Sequence, residues 1–254
     1  MSEAIINFFT PTLGEELLVE TIKSVQNQTV PNFKHTLVTD TPQANIIVKK
    51  VLEYYKPKNT LHYHLQERVT KGRPEPLISG FIHLINYDYF QVLGTGDWLE
   101  PNHCEVVLKT FEETKADWVF SLRRIWDPEK KLICKDTFES IGLHPVWNSD
   151  EIKKTSGQHY YFVDGQSFIC PKDKLLWIAP LWHLSRLLKQ RTDKVLFDNL
   201  SSKYPNFKCT KQYTLNFRLG RGTKEQLEHA KQWYLKGKEY MDKKYPEGNF
   251  PWLI

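Results

Sequence analysis

The sequence has no run of 18 apolar residues, so no segment reads as a membrane span. Its opening residues, Met1-Ser2-Glu3-Ala4, lack the basic, apolar and small-residue regions of a secretory signal, and the expectation is a cytoplasmic protein. Cysteine is scarce: Cys104, Cys134, Cys170 and Cys209 lie far apart without a CxxC pair, which argues against a zinc cluster or a disulfide framework and leaves reduced filler. No low-complexity tract occurs, and charge of one sign is nowhere concentrated. The 35 Lys and Arg against 30 Asp and Glu give a net +5, spread along the chain with acidic residues interspersed, so no nucleic-acid partner is expected. Against these absences stand 40% apolar and 13% aromatic residues in 254, enough for a sizeable core in one large domain.

What the sequence does have is alternation. Residues 5–9 form a short apolar strand, followed by a helix with Leu17, Leu18, Thr21, Ile22 and Val25 on one face, opened by a Thr12/Glu15 capping box. Residues 36–39 make a second strand ending at Asp40. A second helix carries Ala44, Ile47, Val48, Val51, Leu52 and Tyr55, and residues 61–65 make a third strand. A polar, basic loop with Arg68, Lys71 and Arg73 follows, then a helix over about 77–86. The pattern centres on Tyr89 to Pro101: an apolar strand that stops at Leu93-Gly94-Thr95-Gly96-Asp97, with Pro101 as the first helical position of a helix running to about Lys115. Residues 117–122 are a further strand. Strands alternating with helices over 1–122 predict an α/β fold with a mostly parallel sheet covered on both faces. In such a sheet ligands bind at the carboxyl ends of the strands, which sets Asp97 at the edge of the crevice. Two readings of Asp97 stand side by side, a ligand-site carboxylate and a helix cap.

Past Arg123 the pattern changes to longer strand-like pieces at 160–163 and 167–170 around Asp164-Gly165-Gln166, a turn that reads either as an acceptor pocket or as a plain hairpin. Residues 175–190 read as a largely buried helix, 191–194 as a charged interruption, 195–203 as helix and 207–219 as strand. Thr223 with Gln226 forms a capping box for a last helix. Its basic face, with Lys224, Lys231, Lys236, Lys238, Lys243 and Lys244 near Trp233 and Tyr240, reads as solubilising or as a peripheral membrane contact. His62-x-His64 puts two imidazoles on one strand face, a metal pair without a third ligand in view.

The order of these motifs resembles the family 2 glycosyltransferases with the GT-A fold. Phe8-Phe9-Thr10-Pro11-Thr12, then Ser24-Val25-Gln26-Asn27-Gln28-Thr29, then Leu37-Val38-Thr39-Asp40, is similar to that family's opening, and Leu93 to Pro101 to its metal-binding segment, usually Leu-Asp-x-Asp-Asp-x-x-x-Pro. The chain departs from this pattern at Gly94 and Gly96, where the aspartate pair usually stands, and only Asp97 survives. Leu93-Gly94-Thr95-Gly96-Asp97 is closer to a branch that reads Leu-Asn-Ser-Gly-Asp. The family's first aspartate at the second-strand end is here Thr39.

The resemblance implies one GT-A-like domain over 1–254, with a nucleotide-sugar-binding half (1–122), an acceptor half (123–221) and a C-terminal helix and tail (222–254). It implies an inverting, nucleotide-sugar-dependent glycosyltransferase acting on a saccharide or lipid-linked acceptor in polysaccharide or glycan synthesis. A catalytically silent nucleotide- or glycan-binding domain is the alternative. Thr10, Pro11, Asp40, Arg68, Lys71, Gly96 and Asp97 would hold the donor, and Asp97 a divalent Mn or Mg. Asp164, Gly165 and Gln166 would meet the acceptor. The base that deprotonates the acceptor hydroxyl would be Asp193, or else Asp198, with a solvated helix cap as the other reading of Asp193.

Overall fold

The computed structural model describes residues 4–65, 82–83, 85, 87–136, 163–181, 192–220 and 223–247. The expected alternation is present in its first part: β1 (Ile6–Pro11), α1 (Leu18–Gln26), β2 (Phe33–Thr39), α2 (Pro42–Tyr55), β3 (Thr60–His64) and β4 (Tyr89–Val92). The four strands lie in the order β3-β2-β1-β4 and are all parallel, so their carboxyl ends share one edge. Neighbours on a strand point to opposite faces, and Phe8 and Phe9 of β1, both fully buried, accordingly join separate core clusters. Apolar residues on both faces are what a sheet covered on both sides requires.

The rest of the described chain comprises β5 (Trp98–Leu99), α3 (His103–Thr114), β6 (Trp118–Trp126), β7 (Leu132–Asp136), β8 (Phe168–Pro171), α4 (Lys172–Ile178), α5 (Thr192–Lys203), β9 (Phe207–Arg218) and α6 (Lys224–Lys244). β8 enters antiparallel between β4 and β6, β9 runs parallel to β6 on its far side, and β5 closes the row antiparallel to β9. β7 pairs antiparallel with β6. The result is a mostly parallel sheet with helices against it. Trp118 anchors the larger core cluster: its ring stacks on Phe207 at 4.5 Å and meets Phe168 and Phe197 edge-on. α6 is held through Leu227, Ala230 and Tyr234 against Ile125, Cys134 and Phe217, and its Thr223/Gln226 capping box forms.

Several local expectations need correction. Thr12 does not cap α1: its hydroxyl accepts the Gly14 N–H at 3.0 Å, and the helix starts at Leu18 without a side-chain cap. The hydroxyl reaches the turn's amide first, and Gly14, at φ +78, lengthens the entry into the helix. Pro101 lies in a turn, because Trp98–Leu99 pair with Leu215 and Asn216 of β9 before α3 begins at His103. The Asp164–Gln166 turn leads into a strand that pairs with β4 and β6, while residues 160–162 of the strand expected before it lie outside the described residues. Of the helix expected over 175–190, α4 covers Lys172–Ile178 and a turn follows at Ala179-Pro180; residues 182–190 lie outside the described residues. Thr192 and Asp193, expected as an interruption, form the first turn of α5. The helix expected over 77–86 lies mainly outside the described residues.

Candidate active site

Three stretches converge at the shared strand edge: the turn after β4, the turn before β8 and the start of α5. The first is a tight turn, with the Asp97 N–H donating to the Gly94 carbonyl at 3.1 Å. Thr21 of α1 clamps it, accepting the Gly96 N–H at 2.9 Å and donating to the Asp97 carbonyl at 2.8 Å. Gly96 sits at φ +91 with Leu17 3.1 Å from where a Cβ would stand, so a side chain there is both strained and crowded. A Cβ on Gly94 would lie 2.5 Å from Asp97 Oδ2 and 3.0 Å from Gln166 Oε1. The two glycines therefore each have a packed neighbour in the space a side chain needs. Gly94→Ala is expected to lose about 1–3 kcal/mol by overpacking. Unchanged urea unfolding would show that Asp97 and Gln166 swing aside freely.

Asp97 itself points inward. It is 4% exposed, and its Oδ1 accepts the backbone N–H of Arg218 at 2.8 Å. Burial, reinforced by the nearby Asp164 carboxylate, pushes its carboxyl up to about 7, against the opposing pull of the Arg218 N–H, the Gln166 side chain and the Arg123 charge.

The second turn is tied to the first. Gln166 Oε1 accepts the Gly94 N–H at 2.7 Å, and the Gln166 carbonyl accepts from Gln91 Nε2 at 2.8 Å. Asp164 Oδ1 accepts the Gln166 N–H, closing the turn on itself, while its Oδ2 lies 2.9 Å from Arg123 Nη1. Arg123 is buried, with its guanidinium over the Phe217 ring at 5.0 Å and its Nη2 donating to the Tyr234 hydroxyl at 3.3 Å.

α5 brings in the third. Asp193 Oδ1 accepts the Gly165 N–H at 3.2 Å, and a Cβ on Gly165 would lie 2.6 Å from that oxygen. Asp193, Asp164 and Asp97 thus reach one turn from three elements. Asp198 lies five residues further along α5, about 140° around the helix, so it does not share Asp193's view of Gly165.

Along the rest of the edge, Asp40 follows β2 and is 3% exposed. Pro11 ends β1 beside Val38, but the Thr10 hydroxyl is turned into the sheet, where it pairs with His35 Nε2 at 2.9 Å. Burial drives His35 down to about 3, so it stays neutral. His62 and His64 both lie against the Thr39 hydroxyl, at 2.9 and 3.1 Å, a local pairing that accounts for their shared face. Arg68 and Lys71 lie outside the described residues. Sequence reasoning missed Arg123, Gln91 and the Arg218 amide; the available signal was a glutamine and an arginine inside strands expected to be buried, where polar groups demand partners.

A divalent ion held by few protein ligands needs an ionised carboxylate with open lone pairs. Asp97 offers an inward carboxyl whose Oδ1 is already taken by the Arg218 N–H, which leaves at most one oxygen for an ion. Among the described residues no three His, Cys, Asp or Glu side chains group as a metal set. Asp97 as placed here does not fit the role of a metal ligand.

No protein family matches the sequence, and no curated protein does. Solved structures do match in shape. Staphylococcus aureus TarS 1-349 in complex with UDP aligns at TM-score 0.59 and 14% identity over 85% of this chain and 61% of that one. The same protein in complex with UDP-GlcNAc aligns at 0.59 and 14% over 86% and 59%. The mannosyltransferase PcManGT from Pyrobaculum calidifontis, in complex with GDP-Man and Mn2+, aligns at 0.55 and 12% over 94% and 65%. The chain therefore shares the GT-A-like fold of these structures, and it spans about 61% of the TarS 1-349 chain.

Proposed function

We propose that this chain is an inverting glycosyltransferase that moves a sugar from a nucleoside-diphosphate donor to a hydroxyl of a saccharide or lipid-linked acceptor in glycan synthesis. The observation that carries the reading is the convergence of Asp193, the Asp164–Gln166 turn and the Gly94–Asp97 turn at the carboxyl edge of a GT-A-like sheet. The complexes of similarly shaped proteins with UDP, UDP-GlcNAc and GDP-Man support the donor class.

In this reading the nucleoside lies at the ends of β1 and β2, against Pro11 and Asp40, and the acceptor lies over Gly165. Asp193 takes the proton of the acceptor hydroxyl. The oxygen then bonds to the anomeric carbon as the bond from that carbon to the diphosphate oxygen breaks, and the nucleoside diphosphate leaves with the bonding electrons. Asp164 and Gln166 hold the turn that Asp193 faces. Since Asp97 does not fit a metal, no step runs through one; basic groups of residues 66–76, Arg68 and Lys71 among them, are the proposed counter-charges for the diphosphate.

Asp193→Asn is expected to abolish release of UDP or GDP from a panel of nucleotide sugars with sugar acceptors while leaving nucleotide binding intact. Asp40→Ala should weaken UDP or GDP binding by about 1–3 kcal/mol, through loss of a buried acceptor. Calorimetry giving wild-type affinity in folded Asp40→Ala would remove Asp40 from the site. The alternative, a silent nucleotide- or glycan-binding domain, draws support from Gly94 and Gly96 in place of the aspartates and from the inward Asp97. Binding without turnover across donors and added metals would favour it.

A further inference from the structure

A line of buried polar side chains runs from β9 to the site and has no part in the chemistry above. Thr214 of β9 lies 2.8 Å from His103 Nδ1, His103 Nε2 lies 2.7 Å from Gln91 Oε1, and Gln91 Nε2 donates to the Gln166 carbonyl at 2.8 Å. Thr214, His103 and Gln91 are at most 2% exposed. The donor directions follow one from the next. Because the Gln91 amide nitrogen faces a carbonyl, its oxygen faces His103 and accepts, so His103 carries its proton on Nε2. Its Nδ1 then accepts the Thr214 hydroxyl proton. Every position in the line is filled by a neutral group, and burial holds His103 down to about 3, so the second proton that would break the order is not taken up near neutral pH.

We infer that Gln91, His103 and Thr214 are positioning residues that set the Asp164–Gln166 turn against the Gly94 turn, and so fix where Asp193 meets the acceptor. The inference rests on the reading of this edge as a transfer site. Three elements, β4, α3 and β9, contribute one group each to a single carbonyl-to-hydroxyl line, and the residue whose carbonyl ends it is the same one whose side chain accepts the Gly94 N–H. A core that needed only filling would use apolar residues here, since an unpaired buried amide or imidazole is costly and a fully paired line specifies one arrangement. The line meets β1 at Phe8, three residues before Pro11, while the proposed nucleotide end lies at the strand ends of β1 and β2, so the line should act on turnover and not on nucleotide affinity.

The test uses Gln91→Glu, which removes the donor to the Gln166 carbonyl, His103→Leu, which removes both ring partners, and His103→Gln, which keeps a nitrogen towards Gln91. Val48→Ala, in the separate core cluster under α2, serves as a control for lost stability. In full-length protein, Gln91→Glu and His103→Leu should lower kcat at least tenfold with UDP or GDP affinity unchanged, and His103→Gln should recover most of the loss. Hydrogen exchange at the Gly94 amide should quicken at least tenfold in the first two variants and stay at the wild-type rate in Val48→Ala. Wild-type kcat and wild-type Gly94 exchange in folded Gln91→Glu would overturn the inference. If the wild type turns over none of the donors, the transfer reading fails, and the exchange rates still decide whether the line positions the turn: faster exchange supports it, unchanged exchange overturns it.

Discussion

Asp97→Asn is expected to flatten the pH dependence of stability and to leave the protein more stable than wild type at pH 8. The unfolded chain releases the Asp97 proton near 3.8 and the folded chain near 7, because burial disfavours the ionised carboxyl. Between those values the folded state binds more protons, so wild-type stability is full below about pH 4 and falls as pH rises to about 7. Each unit of that shift corresponds to about 1.4 kcal/mol, giving an upper limit of a few kcal/mol. Asparagine keeps an oxygen for the Arg218 N–H and carries no charge to bury. Asp97→Ala loses the acceptor and is expected to cost about 1–3 kcal/mol at every pH. Urea unfolding from pH 4 to 8 distinguishes the three proteins. An Asn variant as unstable as Ala at pH 8, or one that loses a divalent-metal response the wild type shows, would return Asp97 to the role of an ionised ligand.

Arg123→Met should be the most destabilising single change, at about 3 kcal/mol, because it strands Asp164 beside Asp97 without its countercharge. Methionine can occupy the space between Phe217 and Tyr234, so lost packing is a minor part of the cost. Arg123→Met combined with Asp164→Asn removes the stranded charge and keeps the acceptor for the Gln166 N–H, and it should regain at least half of the loss. A double variant no better than the single one, measured by denaturant unfolding, would mean that Arg123 acts through packing and the Tyr234 hydroxyl instead.

The parallel half of the sheet was legible because its periods differ cleanly. Residues 5–9, 36–39 and 61–65 carry short apolar strands, and Ala44 to Tyr55 repeats at helical spacing, so β1, β2, β3 and α2 appear where expected. Thr12 misled because a Thr-x-x-Glu pattern satisfies a capping box on paper, yet the hydroxyl has a nearer amide at Gly14. In the site, Asp97, Asp164–Gln166 and Asp193 each stood out as a motif, but their meeting depends on β8 entering between β4 and β6, a long-range pairing no local pattern encodes. Asp97's partner is a backbone amide 121 residues away, which carries no residue-type signal at all. Gly94 and Gly96 were legible only as a departure from the resemblance, while the crowding around them by Asp97, Gln166 and Leu17 is visible in the structure alone.

The same late insertion governs how the chain can be made. During synthesis β4 and β6, the two strands that β8 pairs with, are both complete long before residues 168–171 leave the ribosome. The parts of their edges that β8 covers, Tyr89–Phe90 and Val119–Phe120, therefore wait for that partner over some 40 to 80 residues of elongation, at about 5–20 residues per second. The four-residue β8 is the keystone that removes both edges at once. A nascent chain stalled before it exposes two templates for mispairing, and factors that shield emerging strands would be needed for several seconds at that stage.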